Sequence, residues 1–165
     1  MTRLQRHGWW VLVLFAVAIV VFGAMDVVMG AGGDRVIALG LTGRTHAELI
    51  AESPDAFRLY DFTRRTQAWA LVTLGLLLLG ILLGPYRRGD RWAWRVMWLL
   101  PAWSLSVPAM YLVFGLVPGT PPPPPLISGS IVGVISILVL VLDRGRFGTA
   151  AIADRDTPTT QASRR

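Results

Sequence analysis

The sequence predicts an all-α fold: an antiparallel bundle of four membrane-crossing helices, with a short helical extracytoplasmic cap between helices 1 and 2. Three observations predict it. Hydrophobic residues make up 53% of the 165-residue chain, and they gather into long runs instead of scattering as in a water-soluble domain. Arginines stand at the ends of those runs, eleven on one side and five on the other. The one polar stretch long enough to fold, residues 30–67, separates the first run from the second.

The first span is expected over about residues 9–29, long enough for about 31 Å of helix. Arg3, Arg6 and His7 precede it like the start of a secretion signal, but its apolar stretch exceeds the usual length of about 7–15 residues. It therefore reads as a retained helix. The second span covers about 68–84, the third about 92–117 and the fourth about 126–142, the shortest. Residues 1–146 form the membrane unit, and the tail over 147–165 is thinly hydrophobic and expected to be disordered.

Charge sets the orientation. Arg3, Arg6, the cluster Arg87, Arg88, Arg91 and Arg95, and Arg144, Arg146, Arg155, Arg164 and Arg165 all fall on one face. The five arginines of the other face lie in 30–67 among acids that match them. The positive-inside rule places both termini in the cytoplasm of a bacterial cell membrane. Trp9, Trp10, Trp92 and Trp94 then sit at the inner interface and Trp69 at the outer one.

Composition also excludes chemistry. Cysteine is absent, so there is no disulfide framework, thiolate nucleophile or zinc–thiolate site. The two histidines, His7 and His46, lie far apart, and no metal or cofactor is expected. A net charge of +6 would suggest nucleic acid in a soluble protein, but here the arginines flank apolar runs, so the bilayer is the partner they imply.

Within the outer segment, GAGGDR reads as a turn, and Thr45-His46-Ala47-Glu48 as a capping box that starts a short helix to about Ala51. Ser53-Pro54-Asp55 is a second start signal, and nothing after it stops a helix before Gly84. The second span is thus expected to begin outside the membrane, carrying Phe57, Tyr60 and Phe62 and setting Arg64 and Arg65 above the outer face. Pro121–Pro125 reads as a stiff polyproline spacer of about 15 Å between spans three and four.

In span three, Trp94, Met97, Pro101, Ser104, Pro108, Tyr111 and Gly115 recur at three- and four-residue steps and form one stripe. Pro101 and Pro108 should kink the helix, and each frees a carbonyl that Ser104 or Ser106 can satisfy. Such a stripe should face the bundle interior. Two GxxxG pairs, Gly80 with Gly84 and Gly129 with Gly133, are expected to pack helices within the chain.

Asp26 is the one carboxylate inside an apolar run, about 5 Å below the outer end of span one. Tyr111 lies at a comparable depth and Arg64 and Arg65 stand just above, so these residues, with Ser104, are expected to line an outward-facing polar pocket. No charge lies near any midplane, which disfavours a proton-coupled transporter.

Four spans, a folded outer segment after the first and cytoplasmic termini resemble small bacterial membrane families of uncharacterised function, DoxX-like proteins among them. More loosely, the acid at the end of span one and the bent aromatic helix resemble the sterol-binding EXPERA fold. The resemblance is of architecture and carries no family residue across. The expected function is that of a non-enzymatic accessory or small hydrophobic-ligand-binding membrane protein, its partner a hydrophobic molecule or another membrane protein. The alternatives are a membrane enzyme acting on a lipid or isoprenoid-like substrate, with Asp26 as acid or base and Tyr111 as orienter, and a small transporter.

Overall fold

A computed structural model describes residues 8–147. Helix α1 spans Trp9–Met29 and a 3₁₀ turn follows over Gly30–Gly33. Next come α2 (Arg35–Thr42), α3 (His46–Glu52) and the long α4 (Pro54–Ile81), which runs on through a π-turn at Leu82–Tyr86. Helices α5 (Arg91–Met97), α6 (Leu99–Phe114) and α7 (Pro124–Asp143) complete the chain. Four segments are long and apolar enough to cross a membrane, the pattern of a multi-pass helical membrane protein: Trp9–Gly33, Pro54–Tyr86, Arg91–Phe114 and Pro124–Asp143. Their outward surfaces are apolar: Leu112 is 82% exposed and Val28 76%. In water such faces would be a liability; against acyl chains they need no cover.

Local signals act as the sequence implies. Thr45 and Glu48 form a reciprocal capping box at the start of α3. The Ser53 hydroxyl accepts from the Ala56 amide, with Pro54 in the first turn of α4. Pro85 cannot donate to the Ile81 carbonyl, and the helix widens to a π-turn there.

Four features differ from expectation. RVIALGLT forms α2, a helix hidden from the sequence reading by its short length and by Gly40 within it. The third span is two helices broken at Trp98, because Pro101 leaves the Met97 carbonyl without a helical donor. The proline spacer is shorter than five residues: Pro124 and Pro125 begin α7, where the first amides need no partner, and Pro123 is buried. Phe147, assigned to the tail, is 2% exposed and packs against Tyr86 and Trp94. Residues 148–165 of that tail lie outside the described residues.

Helix α1 packs most extensively on α4, and α6 on α7. Small residues set the first contact. A Cβ added at Gly75 would stand 2.6 Å from Val20 Cγ2 and 3.0 Å from the Val20 nitrogen, and one at Gly23 3.0 Å from the Val72 nitrogen. In α6–α7 the corresponding glycines are Gly129, against the Ser104 carbonyl and Pro108, and Gly133, against Leu105. That Ser104 carbonyl is the one Pro108 frees, so the absent side chain of Gly129 lets a Cα–H approach it. The serines serve other carbonyls: Ser104 Oγ donates to Pro101 O at 3.3 Å and Ser106 Oγ to Trp103 O at 2.7 Å. Gly80 meets nothing within 4 Å, and Gly84 only the tip of Arg88, so that pair packs against no other helix among the described residues.

Met97, Pro101, Ser104 and Pro108 of the aromatic–proline stripe are buried. The apolar core, including Leu12, Leu82, Met97, Leu100 and Leu140, lies towards the end of the bundle away from residues 30–67. The loop end is held by polar contacts instead.

Candidate functional site

Those contacts form where α1 ends and α4 passes it. Arg64 Nη2 donates to Asp26 Oδ2 at 3.0 Å and to Asp34 Oδ1 at 2.8 Å, and its Nε also pairs with Asp34. The Tyr60 hydroxyl donates to Asp34 Oδ2 at 3.2 Å. Asp34 precedes α2 but does not cap it; its carboxylate turns inward to the guanidinium. Its side chain is 6% exposed, against 26% for Asp26 and 21% for Arg64. Burial raises the Asp34 carboxyl above the ordinary value of 3.8, and neighbouring Asp26 adds to the rise. Arg64 and the Tyr60 hydroxyl oppose it.

The next residue, Arg65, closes the end of α1. Its Nη1 donates to the Val27 and Val28 carbonyls at 2.7 and 2.8 Å, which the helix leaves without donors, while Nε holds Asp61 at 2.9 Å. Asp61 Oδ1 in turn accepts from the Ala31 amide at 2.8 Å. Gly30 stands in the middle with φ +55°, and any Cβ there would collide with Asp61 and Arg65.

Of the residues expected to line one pocket, Asp26 and Arg64 meet directly. Arg65 is adjacent but serves the α1 carbonyls. Tyr111 lies within electrostatic range of Asp34 and Arg64 without a hydrogen bond to either. Ser104, seven residues and about 10 Å deeper along α6, packs at Gly133 and takes no part. Asp34, Tyr60 and Asp61 were missed. The signal for the last two was the four-residue spacing of Tyr60 to Arg64 and of Asp61 to Arg65, which turns one polar stripe of α4 towards α1.

A groove opens beside this network. It encloses about 370 Å³ between α2, α3 and the start of α4, lined by Ile37, Ala38, Leu49, Ala56, Phe57 and Tyr60 among others. A narrower cleft of about 160 Å³ lies deeper, walled by Phe15, Phe22, Leu71, Trp103 and Gly129, with Ser104 at its edge.

The opposite end carries a second polar cluster that the sequence reading did not single out. The Tyr86 hydroxyl donates to Asp143 Oδ2 at 2.7 Å, and Asp143 is 1% exposed. Trp94 Nε1 donates to Leu140 O at 2.9 Å, and Arg91 Nε to Phe147 O at 2.7 Å. Among the described residues no three histidine, aspartate or glutamate side chains are grouped to hold a metal.

Comparison with family models, with curated proteins and with solved structures returns no match. The functional reading therefore rests on this chain's own geometry.

Proposed function

We propose that the chain is an integral protein of a bacterial cytoplasmic membrane that binds a small hydrophobic ligand in its extracytoplasmic cap. In this reading the four spans form an antiparallel bundle, both termini are cytoplasmic, and α2 and α3 cap the outer end. The arginine asymmetry supports the orientation. The 370 Å³ groove carries the binding reading: its volume is that of a small-molecule site, and its walls are chiefly apolar.

The polar network argues for binding over catalysis. Asp26 is engaged by Arg64, and the same guanidinium is shared with Asp34, so neither carboxylate is a free general base. The network joins span one, the start of α2 and span two, and it holds the groove's floor through the Tyr60–Asp34 bond. Asp26 and Arg64 thus position the pocket.

The test is native mass spectrometry of protein extracted with its surrounding lipid. Wild-type protein should carry a hydrophobic molecule that Ala56→Trp, which fills the groove, loses at equal folded yield. Equal retention by both, or an empty wild type, would retire the reading. Turnover of an added lipid that Asp26→Asn abolishes in folded protein would favour the enzyme instead.

A further inference from the structure

The cap holds a second groove on another face of α3. It encloses about 560 Å³, lined by Arg35, Leu39, Thr45, His46, Ile50 and Phe57 among others. Phe57 also walls the first groove, so one ring is common to both. Two polar side chains here lack partners. Arg35 is exposed and its side chain makes no ion pair or hydrogen bond among the described residues; Arg58 is likewise unpaired but does not line this groove, whereas Arg44, Arg64 and Arg65 each hold a carboxylate. His46 packs edge-on against Phe57 with ring centroids 5.3 Å apart, and its Nε2 is buried without a hydrogen bond.

Three acids of α3 and of the turn before α2 are committed elsewhere. Glu48 accepts from the Thr45 amide at 2.6 Å, Glu52 pairs with Arg44, and Asp34 faces Arg64. The outcome is an unpaired guanidinium and an unmet imidazole beside Leu39, Ile50 and Phe57. Charge complementarity then specifies an anion, and the apolar walls specify a hydrocarbon attached to it.

We propose that this groove takes the carboxylate head of a single-chain anionic amphiphile drawn from the outer leaflet. Arg35 pairs with the carboxylate through its planar fork. A rotation of the His46 ring lets it donate a further hydrogen bond. The tail lies over Leu39 and Ile50 and along Phe57 towards the first groove. One chain fits better than two, because the groove's volume of about 560 Å³ lies within the range of a single small-molecule site. This inference rests on the ligand-binding reading above and names the ligand's class.

The experiment uses the full chain in nanodiscs of phosphatidylcholine, with radiolabelled palmitate and hexadecanol as probes of equal length and different charge. Wild type should bind palmitate about tenfold more tightly than hexadecanol, the scale of one charge-assisted contact. Arg35→Gln should erase that preference, weakening palmitate about tenfold while hexadecanol binding falls far less. Arg35→Lys, which keeps the charge without the fork, should retain part of it, and His46→Phe should reduce it while preserving the contact with Phe57. Ala56→Trp should weaken both probes alike. Equal wild-type affinity for the two probes, or a palmitate preference that survives Arg35→Gln, overturns the anionic-head proposal and leaves hydrophobic binding standing. Failure of wild type to bind either probe overturns both.

Discussion

Replacing Arg64 by methionine tests the network where its geometry is most explicit. The substitution keeps an unbranched apolar stem and removes the guanidinium that lies 3.0 Å from Asp26 and 2.8 Å from Asp34. Two carboxylates are then left facing each other, one of them with a side chain only 6% exposed. Breaking a buried pair costs about 3–5 kcal/mol, and the partial exposure of Asp26 and Arg64 brings the figure to the lower end, about 3 kcal/mol. For a chain of this size that corresponds to a fall of about 6–12 °C in Tm. The measurement is thermal unfolding in lipid nanodiscs, followed by the intrinsic fluorescence of the seven tryptophans.

The pH dependence carries a definite sign. Asp34 is raised above 3.8 when folded, so its contribution to stability is fully present below that value and is lost as pH rises through the folded value. Arg64 opposes this rise, and its removal lifts the folded value further. The deficit of Arg64→Met relative to wild type should therefore be largest near pH 8 and shrink towards pH 4. The double variant Arg64→Met, Asp34→Asn should recover part of the loss, since the stranded charge has gone. A Tm within 2 °C of wild type at pH 8, or a deficit that grows on acidification, would refute the network's role.

Three other substitutions probe the packing. Gly30→Ala should cost about 1–3 kcal/mol by unfolding in nanodiscs, since it demands a positive φ and displaces Asp61 and Arg65. Gly75→Leu should lower stability by about 1–3 kcal/mol or more, as Val20 stands in the way, whereas Gly80→Leu, with open space, should change it little in the same assay. Tyr86→Phe should cost about 1.5–3 kcal/mol by stranding the buried Asp143 carboxylate, and pairing it with Asp143→Leu should restore much of that in a double-mutant cycle.

The spans were legible in the sequence because hydrocarbon imposes a simple rule: each backbone polar group must be satisfied internally, so about 20 apolar residues form a helix. The caps at Thr45 and Ser53 were legible because their hydrogen bonds are local. Pairing was not. GxxxG at 80 and 84 is the same pattern as at 129 and 133, yet only the second meets a partner helix, while Gly23 and Gly75 pack without belonging to either. A glycine's role depends on which way its helix is rotated, and uniformly apolar spans leave rotation unmarked. Asp26 and Arg64 were found from depth and charge. Asp34 was missed because its partner lies thirty residues away and its neighbourhood reads as a turn.

The distribution of buried polar groups bears on how a ligand would move. Asp34, Ser104, Ser136 and Asp143 are the buried polar or charged residues described, and the two acids lie towards opposite ends of the bundle. Helix α7 alone, twenty residues long, separates its first residue from Asp143 by about 30 Å. The other two buried polar side chains among the described residues, Ser104 and Ser136, are hydroxyls, which cannot hold a charge in hydrocarbon. A proton-coupled carrier needs an ionisable group that both faces can reach, and among the described residues no buried acid or base lies between Asp34 and Asp143. On the orientation and binding reading proposed above, a ligand held in the cap would exchange with the outer leaflet beside it, and the four spans would hold that cap at the membrane surface.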